Sequence, residues 1–169
     1  MGNAADSSIR ADTEPSAALL VTENSEDIKC FQRTFRSWKW QIHTARNCRD
    51  AGVLLRREPV AVIITEAHLT DGCWKDLRDR ADLIPDSPLV IVTSLNADDQ
   101  LWAEVLNEGG YDVLAKPFEQ SEVIRVVSLA WLHWRHKHQE IHRSATSSSD
   151  TRTPATDITP PARLRWTGR

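Results

Sequence analysis

The sequence predicts a doubly wound α/β sandwich: a five-stranded parallel sheet with helices on both faces. Three observations carry that expectation. Short, continuously apolar runs rich in β-branched residues recur along the chain, as strands covered on both faces require. Amphipathic stretches at helical spacing alternate with them, the pattern that gives parallel strands joined by crossover helices. The chain has 169 residues, 40% of them hydrophobic and 27% charged, which suffices for one buried core without disulfide or metal staples.

Taken in order, Ala18-Leu19-Leu20-Val21 is the first strand. Asn24 and Ser25 are capping candidates for a helix whose stripe is Ile28, Phe31 and Phe35. Trp40, Ile42 and Thr44 alternate with polar residues and suit a less buried second strand, followed by a helical stripe at Ala51, Leu54 and Leu55. Val60-Ala61-Val62-Ile63-Ile64 is the third strand, and Trp74, Leu77 and Ala81 mark its helix. Leu89-Val90-Ile91-Val92 is the fourth, before a stripe at Leu101, Trp102 and Val105 and a helix stop at Gly109-Gly110. Tyr111 to Leu114 makes a short fifth strand, and Val123, Val127, Ala130 and Trp134 define the last helix.

The ends differ in composition. Residues 1–16 mix Ala, Asp, Ser, Thr and Pro without periodicity, and thirteen of the 32 residues in 138–169 are Ser, Thr or Pro, too polar to offset their ordering entropy. The expected organisation is therefore a disordered tail at 1–16, one folded domain at 17–137 and a disordered tail at 138–169. Three cysteines, Cys30, Cys48 and Cys73, with no CxxC spacing indicate neither a disulfide framework nor a zinc ribbon, and reduced thiols fit a cytoplasmic protein. No apolar run reaches the roughly 18–20 residues of a membrane helix, so no membrane role is expected. A net charge of −3 argues against non-specific nucleic-acid binding by the whole chain.

In an open α/β sheet the ligand crevice lies beyond the carboxyl ends of the strands. Those ends carry Thr22 and Glu23 after the first strand, Glu66 after the third, Thr93 and Ser94 after the fourth, and Lys116 with Pro117 after the fifth. Carboxylates, a hydroxyl and an ammonium converging from distant segments suit phosphoryl or divalent-cation handling, where carboxylates hold Mg²⁺ and lysine neutralises developing charge.

These residues resemble a response-regulator receiver domain. The likeness runs through Leu19-Leu20-Val21, Glu66-Ala67-His68-Leu69-Thr70-Asp71-Gly72, Val90-Ile91-Val92-Thr93, and from Leu106 to Lys116-Pro117-Phe118. It covers the whole expected folded region and implies the flavodoxin-like receiver fold and a role in two-component or phosphorelay signal transduction. It also implies a cis Lys116–Pro117 bond, which X-Pro energetics permit.

The departures are as informative. The family's adjacent acidic pair after the first strand is here Thr22 and Glu23. Its phosphorylated aspartate corresponds to Glu66 in the register set by Leu69-Thr70-Asp71-Gly72; a register placing Thr65 there leaves the loop one residue off. The aromatic of the fifth strand that reports activation corresponds to Val113, while Thr93, Lys116 and Pro117 match the switch and phosphate-contact positions. Glutamate moves a nucleophile by about 1.3–1.5 Å, and a misplacement near 1 Å can cost about a hundredfold. With Thr22 unable to ligate as a carboxylate, Mg²⁺ on Glu23 and Glu66 is expected to be weak or absent.

The expectation is a stand-alone, atypical receiver (a pseudo-receiver) that is not an enzyme, is not phosphorylated and acts through protein contacts. Its partner is another signalling protein or a second copy, met through the face of the fourth helix, fifth strand and fifth helix, with Asp99, Trp102, Asn107, Tyr111, Arg125 and Trp131 as candidates. Lys116 and Glu66 are expected to form the central ion pair; a Glu66 carboxylate that reached both Lys116 and Thr93 would imitate an acyl phosphate, and the sequence leaves open whether the pocket is held active-like or inactive. One rival is a Mg²⁺-dependent phosphoryl-transfer or hydrolase enzyme using Glu23 and Glu66, which needs open room over the strand ends. A second is a nucleic-acid-associated regulator using the C-terminal tail, where residues 135–169 hold seven Lys/Arg against three Asp/Glu but no helix-turn-helix pattern. His133, His136, His138 and His142 lack an acidic partner that would complete a metal site.

Overall fold

The structure, a computed structural model, describes residues 17–147, with side chains through residue 140. Five parallel strands form the sheet in the order β2-β1-β3-β6-β7. They are β1 (Ala17–Val21), β2 (Gln41–Ala45), β3 (Val62–Glu66), β6 (Leu89–Ser94) and β7 (Asp112–Ala115). The remaining two, β4 (His68–Leu69) and β5 (Gly72–Cys73), make a small antiparallel hairpin after β3. Five helices alternate with the strands: α1 (Ser25–Phe35), α2 (Cys48–Leu55), α3 (Trp74–Asp82), α4 (Asp99–Asn107) and α5 (Gln120–Ser147).

Strand alternation divides the core into two layers. Leu19, Val21, Ile63, Val90 and Val92 pack on one face with Ala51, Leu77 and Val105 of α2, α3 and α4. Leu20, Val62, Ile64, Ile91 and Leu114 pack on the other with Phe31 and Phe35 of α1 and Val123, Val127 and Ala130 of α5. Both faces of the central strands are thus dry, which is why their sequences are apolar without a break. α1 begins where the Asn24 side chain accepts from the Glu26 N–H, and Asp98 caps α4 by accepting from Leu101, each satisfying an otherwise orphaned donor. α4 ends where Gly109 adopts φ +85° and Gly110 fits against Val105; a Cβ on Gly110 would lie 2.4 Å from Val105 Cγ1.

The expected domain edge at residue 137 needs correction. Helix α5 continues to Ser147. His138 stacks on Trp134 with centroids 4.9 Å apart and its Nδ1 lies 2.8 Å from Asp86 Oδ1, so the first residue assigned to a tail is part of the packed domain. No Gly or Pro interrupts the sequence from 120 to 153, leaving nothing to stop the helix at 137. The expectations for 1–16 and 148–169 fall outside the described residues. No helix among the described residues is long and apolar enough to cross a membrane.

Candidate functional site

The sheet register brings the strand-end residues together: Glu66 pairs with Thr93 across β3 and β6, and Lys116 follows directly on β7. Lys116 donates from Nζ to Glu66 Oε1 at 3.0 Å and to Asp27 Oδ2 at 2.6 Å. Thr22 donates its hydroxyl to the same Glu66 oxygen at 2.6 Å and accepts from the Asn24 N–H at 3.0 Å. The ammonium is therefore shared by two carboxylates, and one of these also accepts the Thr22 proton. Side-chain exposure is 12% for Lys116, 12% for Asp27 and 27% for Glu66. Burial works against the Lys116 charge, but hydrogen bonds and Coulomb attraction from Asp27 and Glu66 outweigh it, raising its pKa above the usual lysine value. The Lys116–Pro117 bond is cis.

Asp27 is the site residue that the sequence reading missed. It lies in the first turn of α1, buried beside the apolar stripe. The signal was its spacing: Asp27, Phe31 and Thr34 are four and three residues apart, so the carboxylate sits on the inward face of the helix. A buried acid on such a face needs a cationic or hydrogen-bonding partner, and Lys116 supplies both. Structurally, Asp27 provides the negative charge that Thr22 does not.

The other expected positions are arranged less uniformly. Glu23 accepts from the Thr70 hydroxyl at 2.7 Å, so the two carboxylates invoked for an enzyme are held by different partners. Thr93 is buried, but no hydrogen bond among the described residues joins it to Glu66, whose bonded oxygen is engaged by Thr22 and Lys116. The alternative of a Glu66 carboxylate reaching Thr93 is not the arrangement formed: the bonded oxygen lies with Thr22 and Lys116. Thr65 is fully buried and donates to the Glu66 carbonyl. Val113 is in the core with Val92 and Val105.

The carboxylates expected to take up a Mg²⁺ ion are engaged with protein partners. Such an ion takes one or two carboxylates in octahedral geometry, whereas Glu66 already accepts from a hydroxyl and an ammonium, and Glu23 is tied to Thr70. Among the described residues no group of three or more His, Cys, Asp or Glu is placed to hold a metal. His133 Nδ1 contacts Tyr111 Oη at 2.6 Å and His138 is braced by Asp86; the His142 side chain lies outside the described residues.

The loop after β3 is clamped to α2. Asp71 accepts from the N–H groups of Cys48 and Arg49 at 2.7 and 3.0 Å. The Cys48 bond, together with that of Arg49, draws the Asp71 carboxyl below its ordinary range. Burial, followed by the Asp71 charge, pushes the Cys48 thiol up to about 11. The loop carrying the Leu69-Thr70-Asp71-Gly72 signature is thus pinned by its own aspartate to a helix N-terminus.

A doubly wound five-stranded α/β domain with acidic, hydroxyl and lysine side chains gathered at the carboxyl ends of its strands is a signalling receiver in architecture. Comparison with known proteins agrees. No protein-family model matches the chain. It is 28% identical over 114 residues to the response regulator protein PilR of Pseudomonas aeruginosa, covering 67% of this chain and 25% of that protein. Against the sensor histidine kinase TmoS of Ectopseudomonas mendocina it is 28% identical over 116 residues, covering 65% of this chain and 12% of that one. The chain thus spans a quarter or less of these relatives. The crystal structure of the signal receiver domain of an HD domain-containing protein from Pseudomonas fluorescens superposes with a TM-score of 0.70 at 25% identity, covering 78% of this chain and 98% of that one. In sequence and in fold the chain is thus similar to the receiver domains of response regulators.

Proposed function

We propose that this is an atypical receiver that takes up no phosphoryl group at Glu66, holds no functional Mg²⁺ and signals in the cytoplasm through protein contacts rather than turnover. The observation that carries this reading is the pocket filled by its own side chains, with Lys116 neutralised by Asp27 and Glu66 and with Thr22 hydrogen-bonded to Glu66. An incoming phosphodonor would have to displace an ammonium from a partly buried carboxylate that is already one methylene too long. Incubation with Mg²⁺ and acetyl phosphate followed by intact mass should show the unmodified chain; a stoichiometric phosphoryl adduct overturns the reading.

The proposed output surface is the face of α4, β7 and α5. Trp102 and Leu106 are one turn apart on α4 and stay 49% and 40% exposed, and Leu129 and Leu132 of α5 are 40% and 37% exposed. Asp99, Asn107 and Arg125 are exposed, and Tyr111 is partly buried. Aromatic, leucine and Arg side chains left in water at this density suit a second copy or another signalling protein. Trp131 does not belong to this face: it packs on Trp40, centroids 6.0 Å apart, beneath Arg135, because its position on α5 turns it toward the α1–β2 connection.

A further inference from the structure

A cleft of about 400 Å³ opens at the amino-terminal end of the sheet, a full strand length from the Lys116 pocket. It lies between the segment leading into β3, the segment leading into β6 and the lower part of α5. Its walls are apolar, with Val60, Ile84, Pro88 and Trp134 among them, and Arg56 and Arg57 also line it. We propose that this cleft is a binding site for a small organic anion: a compact apolar or aromatic body carrying one carboxylate or sulfonate group that the two guanidiniums hold.

Three features support that ligand class. The volume is in the range of small-molecule sites, roughly 300–1,000 Å³. The walls are fixed before any ligand arrives: Pro59, Pro85 and Pro88 stiffen the two segments. Trp134 is oriented by its Nε1–H donating to the Asp86 carbonyl at 3.1 Å and by its stacking on His138, so binding costs little ordering entropy. The charge is also complementary. Arg56 and Arg57 are exposed and make no side-chain hydrogen bond or ion pair among the described residues. Of the two carboxylates at the cleft, Glu58 and Asp86, the second is engaged with His138. Two arginines without an ion pair, lining an apolar cleft, favour an amphipathic anion over a neutral hydrocarbon or a cation.

The probe is 1-anilinonaphthalene-8-sulfonate, titrated into the full chain and followed by fluorescence and calorimetry. One saturable site is expected. Arg56→Glu with Arg57→Glu, both on exposed side chains, should weaken it by at least about tenfold, the loss expected for a charge-assisted contact, with the melting curve unchanged. The uncharged analogue N-phenyl-1-naphthylamine should bind the wild-type chain at least about tenfold more weakly for the same reason. Ile84→Trp, which fills the cleft, should abolish the site if the chain remains folded by circular dichroism. The proposal is overturned by the lack of a saturable site, by an affinity that survives charge reversal, or by equal binding of the uncharged analogue. None of these outcomes bears on phosphorylation of Glu66, so the two readings stand or fall separately.

Discussion

Replacing Lys116 by Met tests the site's energetics most severely. The substitution keeps the length and apolar stem but removes the charge that Asp27 and Glu66 share, leaving two carboxylates facing each other with 12% and 27% of their side chains exposed. Breaking a buried ion pair from one side costs about 3–5 kcal/mol. The partial exposure of Glu66 allows solvent to screen its share, which brings the expectation to about 2–4 kcal/mol. At roughly 3–4 °C per kcal/mol for a domain of this size, Tm should fall by about 6–16 °C. Adding Asp27→Asn and Glu66→Gln to the same chain should recover part of the loss, because the stranded charges are then gone. Differential scanning calorimetry of the single and triple variants measures both effects. A single variant melting within about 2 °C of wild type, or a triple variant no more stable than the single, would refute the shared-ammonium account.

Stability should also respond to alkali through the same lysine. Its folded pKa is raised, so its contribution is complete below the unfolded value of about 10.4 and is lost as pH rises through the folded value above it. The gap in denaturant midpoint between wild type and Lys116→Met should therefore hold up to about pH 10 and narrow beyond it; a gap that closes at neutral pH contradicts this. Cys48, buried and with its thiol pushed up to about 11, should react with iodoacetamide more slowly than Cys30 or Cys73 at pH 8, as peptide mapping would reveal. Trp102→Glu with Leu106→Glu should leave Tm near wild type and abolish any self-association seen by sedimentation velocity or any capture of a defined signalling partner; retention of every wild-type interaction would exclude this face as the output surface.

How far the sequence reached depended on whether a signal was local. Each main-sheet strand announced itself through a run of side chains that cannot be solvated on either face, and Gly109-Gly110 marked the end of α4 because one glycine adopts positive φ and the other leaves no room for a Cβ. Glu66, Thr22 and Lys116 were legible because strand ends converge in this topology whatever lies between them. Asp27 was not read, since a single acid on an otherwise apolar helix stripe looks like an ordinary first-turn carboxylate until the partner 89 residues away is known. Trp131 is expected on the output face and instead packs on Trp40, because it borders the inward stripe of Val123, Val127, Ala130 and Trp134 rather than lying opposite it. The continuation of α5 past residue 137 was obscured by the Ser/Thr/Pro-rich composition of 138–169 taken as a whole, although no Gly or Pro stops the helix before 154, and the contacts that anchor it, Trp134 and His138 on Asp86, join separate segments.

The central claim is that substitution of the acceptor and its acidic neighbour, not loss of the fold, silences phosphoryl transfer. The direct measurement compares wild type with the double variant Thr22→Asp, Glu66→Asp after identical treatment with Mg²⁺ and acetyl phosphate, read by intact mass and by mapping of the modified peptide. The account predicts no adduct on the wild-type chain and a Mg²⁺-dependent phosphoryl group on residue 66 of the variant. A phosphoryl group on Glu66 of the wild type, or a folded variant that remains unmodified, would contradict it.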